Sequence, residues 1–404
     1  MRPLQSARRR FLRTGCAGLL AFGLPPRVFG NAPPVLVGLD AEFLDHTSTA
    51  DEAIQLGVQW AIDDVNARGG VLGGRPLQLV TTDNRSVPAR GVANIQRLAA
   101  MPDLVAYLCA KFSPVALEQV PHFHDAQLPL LNPWAAADAI VDNNRVPNYA
   151  FRVGLRDSIA MERLLQEMQA RGLHEVGLIV PSTAWGRSCQ FHAERHISAD
   201  ASTPLNMVGV EWHRWGSDSQ IDEGYRGLVS RGAEAVLMVA NEPEGSALVR
   251  AVANLPTSQR RPIFSHWGIT GGRFTELCGV ALQQVELDVV QSFSFARANG
   301  SGADAIAQAA MKHFGVHDAL AVPSMTGLGP AYDLVRMLAL AIDLAGSTHR
   351  PAIRDALERL PPYDGLVKRF APAFTPSRHE ALDLEDVLIC HFDDKGRLTP
   401  RRVG

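Results

Sequence analysis

The chain has 404 residues, room for two or three domains of ordinary size. With a formal charge of −3 and 20% charged residues it offers no global electrostatic case for binding nucleic acid or an anionic membrane surface. Hydrophobic residues at 46% are ordinary for a globular protein, and no apolar run of about 18 residues or more follows the N-terminus, which argues against a membrane span in the mature chain.

Residues 1–32 read as an export signal. Arg8, Arg9, Arg10, Phe11, Leu12 and Arg13 resemble the twin-arginine consensus R-R-x-F-L-K; an apolar stretch follows over Cys16–Leu24, and Gly30, Asn31 and Ala32 form a small-residue cleavage site. An ordinary secretory signal has the same outline, and either route delivers the protein to the periplasm. Cys16 would leave with the signal. Cys109, Cys189, Cys278 and Cys390 are far apart and show no metal-ligand spacing, so they read either as disulfide partners in some pairing or as buried thiols.

Pro34–Leu39 has the pattern of a short buried strand, and the polar run Asp40–Asp51 follows as a loop. Val58, Ala61, Ile62 and Val65 then fall at helical spacing, with Gln59, Asp63, Asp64 and Asn66 on the other face. Gly69 and Gly70 end that helix, because glycine accepts the left-handed backbone of a C-terminal cap. Gly73 and Gly74 make a second turn, and Leu77–Val80 resumes as a strand. Further along, helices are expected over Arg90–Ala100, Pro114–His124, Ser158–Gly172, Gln220–Arg231 and Leu334–Ala345. Strands are expected over Leu104–Leu108, Leu128–Leu131, Val176–Val180, Glu234–Val239, Pro262–Trp267, Asp288–Phe295 and Val387–Phe392, the last closed by the turn Asp393–Gly396. Strands alternating with helices imply parallel α/β sheets, in which ligands meet the loops at the carboxyl ends of the strands. Glu42, His46, Thr47, Ser48 and Thr49 lie in such a loop and are therefore ligand candidates, the alternative being a solvated loop whose Ser, Thr and Asp residues cap the helix.

The wording of Ala61–Leu79, A-I-D-D-V-N-A-R-G-G-V-L-G-G-R-P-L-Q-L, resembles the first helix and second strand of leucine/isoleucine/valine-binding-type periplasmic proteins, the amino-acid/amide solute-binding components of ABC importers. The resemblance covers most of residues 34–404 and loosens toward the C-terminus. It implies an α/β fold of the type I periplasmic binding protein class: two doubly wound parallel-sheet lobes joined by a three-segment hinge. On that reading residues 33–150 plus about 290–362 form the first lobe, and 151–289 plus about 363–404 the second. It also implies a monomer that captures a small solute for the importer's permease and ATPase, with no enzymatic role, cofactor, metal or nucleic acid.

The same resemblance assigns the site. Ser113 matches a serine that holds the ligand carboxylate beside a helix start, and joins Glu42 of the strand-end loop as the second polar candidate. Ser113 as a plain helix cap is the alternative. Trp134, Ala135 and Ala136 match a segment that in the family places backbone groups and a threonine on the amino acid; the threonine is missing here and an indole is added. Trp185 stands where an aromatic packs on the ligand, and Asn241 where an aromatic is frequent. Trp267 falls near the position of the carboxylate that holds the ammonium group in leucine-binding members, so that carboxylate is not evident. Three indoles favour an aromatic, flat or cationic solute, each worth about 0.5–2 kcal/mol of cation–π attraction. Two other functions stay open: a ligand sensor that reports to a membrane receptor, and an exported enzyme of unfamiliar chemistry. No GxSxG elbow, phosphate-binding glycine loop or HExxH appears. His122 and His124 read as polar residues of a helix.

Overall fold

A computed structural model describes residues 33–43, 49–199 and 205–401. The export signal with Cys16, and His46, Thr47 and Ser48, lie outside the described residues.

The first half runs β1 (Val35–Ala41), α1 (Ala50–Ala67), β2 (Leu77–Asp83), α2 (Pro88–Ala99), β3 (Leu104–Cys109), α3 (Ser113–Asp125), β4 (Leu130–Asn132) and β5 (Ala150–Arg152). Its five strands form one parallel sheet in the order β2-β1-β3-β4-β5. Val35, Val37 and Leu39 on β1 and every residue of β3 are buried, as strands covered on both faces by helices require. The apolar face read for α1 is the buried one, and Gly69, Gly70, Gly73 and Gly74 all take the positive φ expected of them. Gly70 shows why: a Cβ there would lie 2.2 Å from the Arg75 carbonyl oxygen.

The chain then crosses to α4 (Asp157–Ala170), β6 (Glu175–Pro181), α5 (Ala184–Ala199), β7 (Asn206–His213), α6 (Asp218–Ser230), β8 (Ala235–Met238), α7 (Glu242–Ala253), β9 (Ile263–Ser265), α8 (Phe274–Cys278) and β10 (Leu287–Gln291). It continues as α9 (Ala303–Phe314), α10 (Met325–Ala345), α11 (Arg350–Leu357), β11 (Tyr363–Asp364), β12 (Arg369–Phe370), β13 (Leu388–Phe392) and β14 (Leu398–Pro400). The second sheet has the order β14-β13-β10-β9-β8-β6-β7, parallel through its central members, with β13 and β14 antiparallel at one edge. The expected two-lobed type I architecture is what the chain adopts.

Three details depart from the sequence reading. The helix expected over Leu334–Ala345 starts earlier, at Met325, so that Gly327, Gly329 and Pro330 lie inside α10, fully buried. Its glycines make room for neighbours, since a Cβ at Gly327 would strike the Trp134 ring and one at Gly329 the Phe293 ring. Tertiary packing here overrides weak helix propensity. Val290 and Gln291, assigned to the first lobe, pair with Ile389 and Leu388 in the second sheet. Tyr363 does not begin the return to the second sheet: the β11–β12 hairpin is fastened to α10, with the Leu366 and Val367 amides donating to the Asp333 carboxyl at 2.7 and 2.8 Å. The chain rejoins that sheet only at β13.

The first and third crossings between lobes are tied together. Arg152, with no exposed side-chain surface, donates to Glu380 from Nε at 2.9 Å and Nη2 at 2.8 Å. Cys109, Cys189, Cys278 and Cys390 are free, buried thiols. Among the described residues, no helix is long and apolar enough to cross a membrane.

Candidate functional site

In each sheet the winding reverses around one strand: β1 lies between β2 and β3, and β6 between β7 and β8. The loops at the carboxyl ends of such strands diverge and leave a crevice. Here the two crevices face each other. From the first lobe come the loop after β3 (Lys111, Phe112, then Ser113) and the loop after β4 (Trp134, Ala136); from the second come Trp185 after β6, Asn241 after β8 and Trp267 after β9. Together with Gly268 and Gly271 they enclose a cavity of only about 20 Å³, the space of roughly one water molecule. The lobes are closed on one another: the Thr49 and Ala50 amides at the start of α1 donate to the Gly271 carbonyl at 2.7 and 2.9 Å. Thr49 Oγ1 also lies 2.7 Å from Ser324 Oγ.

Six of the eight residues singled out from the sequence therefore meet around one cavity: Ser113, Trp134, Ala136, Trp185, Asn241 and Trp267. The Trp134 and Trp267 rings touch across the cleft, centroids 5.8 Å apart. Trp185 rests edge-on against His266, and its indole nitrogen donates to Asp157 Oδ1 at 3.1 Å. Gly268 lets it in, because a Cβ there would sit 2.6 Å from the indole and 2.4 Å from the Ala240 carbonyl oxygen. Ser113 is not the helix cap; it is the first residue of α3, and its hydroxyl oxygen accepts the Ala136 and Ala137 amides at 3.1 and 3.2 Å. With its lone pairs so used, the hydroxyl hydrogen is left to donate.

Ala135 and Glu42 stand apart from this cavity. Ala135 turns away into the core beneath β3 and β4, because neighbouring residues of an extended loop point to opposite sides. Its carbonyl is anchored by Arg152 Nη1 at 2.9 Å and Asn132 Nδ2 at 2.7 Å. Glu42 lines an adjoining vestibule of about 250 Å³ with Lys111, Phe112, Trp215, Asn241, Glu242 and Glu244. Glu42 accepts from Ser86 Oγ at 2.7 Å and lies 4.0 Å from Lys111 Nζ. Glu244 is buried; its Oε1 accepts the Gly216 amide at 2.8 Å, while Oε2 has no partner. Phe112 and Trp215 meet across the vestibule, ring centroids 4.8 Å apart.

Burial pushes the Asp51 carboxyl above its ordinary range against the pull of Lys111. Its oxygens accept the Glu42 and Lys111 amides at 2.9 and 3.2 Å, so it pins the two first-lobe loops side by side. Burial acts the same way on Asp157, but the His266 imidazole beside it prevails and holds that carboxyl below its ordinary value.

Sequence reading missed Arg152, Asp51, Phe112, Trp215, Glu242 and Glu244 as parts of the site. Arg152 lies at the first crossing between lobes, but nothing local in the sequence shows that its guanidinium also holds the Trp134–Ala137 loop. A larger groove of about 780 Å³ runs along the flank between residues 138–148, α5 and residues 376–380. It lies away from the strand ends and has no tryptophan, tyrosine or phenylalanine among its described lining residues, so the cleft is the stronger site.

A crevice between two doubly wound lobes, with aromatic walls and a few convergent polar groups, defines a solute-binding protein. The sequence model described as "Periplasmic binding protein" matches residues 46–383, and the chain belongs to that family. No curated protein matches it. Among solved structures it is similar to a type 1 periplasmic binding protein of Bordetella pertussis, with 19% identity, a TM-score of 0.79, and coverage of 92% of this chain and 100% of that one. It is also similar to the branched-chain amino acid substrate-binding protein LivJ of Streptococcus pneumoniae in complex with isoleucine: 17% identity, TM-score 0.74, coverage 90% and 97%. A third is an ABC transporter solute-binding protein of R. palustris in complex with benzoate, at 14% identity, TM-score 0.73, coverage 91% and 95%. At these identities the likeness speaks for the fold.

Proposed function

We propose that the chain is the periplasmic solute-binding component of an ABC importer, exported through its twin-arginine-like leader, and that it captures a small solute with a flat or aromatic body. The observation that carries this reading is the convergence of Trp134, Trp185 and Trp267, from the carboxyl ends of three strands in two lobes, on one cavity. An indole-lined slot selects by shape and by π contact and requires no chemistry. Ser113, with a hydroxyl hydrogen left to donate, suits a carboxylate or amide oxygen on the solute. The related proteins found with isoleucine and with benzoate both hold a carboxylate, which agrees with that role. The vestibule, with Glu42, Glu242 and Glu244 against Lys111 among its described residues, suits a cationic or hydrogen-bonding far end.

A solute must enter an opened cleft and displace the Trp134–Trp267 contact, so binding couples to hinge closure. A thermal-shift screen of amino acids, amides, aromatic acids and quaternary amines tests the reading, since a ligand at 100 times its Kd adds about 2.7 kcal/mol of stability. The best hit should lose at least about tenfold in affinity, roughly 1.4 kcal/mol, in Trp185→Ala. Unchanged affinity removes that indole from the site, and a screen with no hit and no copurifying solute refutes small-solute capture.

A further inference from the structure

Beneath the Trp185 wall the second lobe gathers a carboxylate, a thiol and an imidazole that solute capture leaves unused. Asp157 is the first residue of α4, Cys189 lies one turn beyond Trp185 on α5, and His266 follows β9. All three are buried, and one ligand atom from each lies within 4.8 Å of the others. His266 Nε2 is 3.2 Å from Asp157 Oδ1, yet the approach is too oblique for a hydrogen bond. Both ring nitrogens and Asp157 Oδ2 remain without partners. A buried imidazole and carboxylate that served only each other would aim N–H at oxygen; buried polar atoms left unpaired are costly and call for an explanation. Asp157 Oδ2 and both His266 nitrogens are thus left for a common partner.

We propose that Asp157, Cys189 and His266 bind one divalent transition metal ion of the zinc class. The donor set decides the class. A neutral imidazole, a thiolate and a carboxylate form a mixed N, S, O set that suits zinc, whereas calcium and magnesium take oxygen alone. Thiolate and carboxylate together neutralise a divalent charge in a place without solvent. Three protein ligands leave a fourth position for a water or hydroxyl group. The ion would cross-link the start of α4, α5 and the end of β9. It would thereby brace two cleft walls: Trp185, whose indole donates to Asp157, and Trp267, the residue after His266.

The test uses the untagged full chain, refolded with Zn2+ or Co2+ and passed through gel filtration before elemental analysis. About one metal ion per chain is expected. The cobalt form should show thiolate-to-metal charge-transfer absorption, and Cys189→Ala should bring retention to background. Retention at background in the wild type, retention unchanged in Cys189→Ala, or bound cobalt without a sulfur band overturns the proposal. The cobalt spectrum of the wild type reads the thiolate directly, so the proposal stays decidable even if the alanine variant fails to fold.

Discussion

Replacing Glu380 with alanine removes the carboxylate that neutralises Arg152 and leaves the guanidinium where solvent does not reach it. Nη1 would keep the Ala135 and Ala137 carbonyls at 2.9 and 3.3 Å, but Nε would lose both of its acceptors, at 2.9 and 3.2 Å. Breaking a buried pair by deleting one partner costs about 3–5 kcal/mol. The carbonyls that remain partly satisfy the cation, so the lower end, about 3 kcal/mol, is expected here. With a urea slope of about 3 kcal/mol per molar for a chain of this size, the unfolding midpoint should fall by about 1 M. The assay is urea unfolding followed in parallel by tryptophan fluorescence and circular dichroism, whose coincidence tests two-state behaviour. Arg152→Met combined with Glu380→Ala should recover part of the loss, because no buried charge then stands alone. A midpoint that stays put in Glu380→Ala, or a double variant no better than the single, refutes the claim that this pair clamps the first and third crossings.

Two further outcomes follow from the packing and the charges. Gly57→Ala should destabilise by about 1–3 kcal/mol through overpacking, because its Cβ would lie 2.3 Å from the Leu328 carbonyl oxygen at the α1–α10 crossing; on an open helix the same change stabilises by about 1 kcal/mol, so the sign of the shift in Tm decides. Asp333, fully buried, has its carboxyl pushed up to about 7 by desolvation, against the pull of the Val367 and Leu366 amides. A carboxyl raised in the folded state contributes stability that is full below its unfolded value near pH 4 and is lost as pH rises to about 7. Relative to Asp333→Asn, the wild type should lose roughly 4 kcal/mol across that window, three units at 1.36 kcal/mol each; parallel pH profiles for the two proteins would refute it.

Much of this protein was legible in the order of its residues. Helical spacing in α1, the glycine turns after it, and runs of apolar residues ending in polar loops are local patterns with local causes, and they place Ser113, Trp134, Trp185, Asn241 and Trp267 at strand ends. The long glycine-rich wording around Ala61–Leu79 named the scaffold. Other features depend on what lies opposite in space, which no local pattern carries. Ala135 and Ala136 are neighbours in sequence, yet the loop turns one into the core and the other into the cleft. Gly327 and Gly329 are poor helix formers, yet α10 runs through them where it packs against Trp134 and Phe293. Arg152 meets Glu380 from the far end of the chain, and Glu42 faces Glu242 and Glu244 only because two lobes close. Asp157, Cys189 and His266 show no ligand spacing in sequence; three separate elements of one lobe bring them within reach. The sequence by itself determined the scaffold and its strand-end residues, because periodicity and turn chemistry act over a few residues. The tertiary structure alone decided which of those residues meet, because burial and charge pairing act between segments that are hundreds of residues apart in the Arg152–Glu380 case.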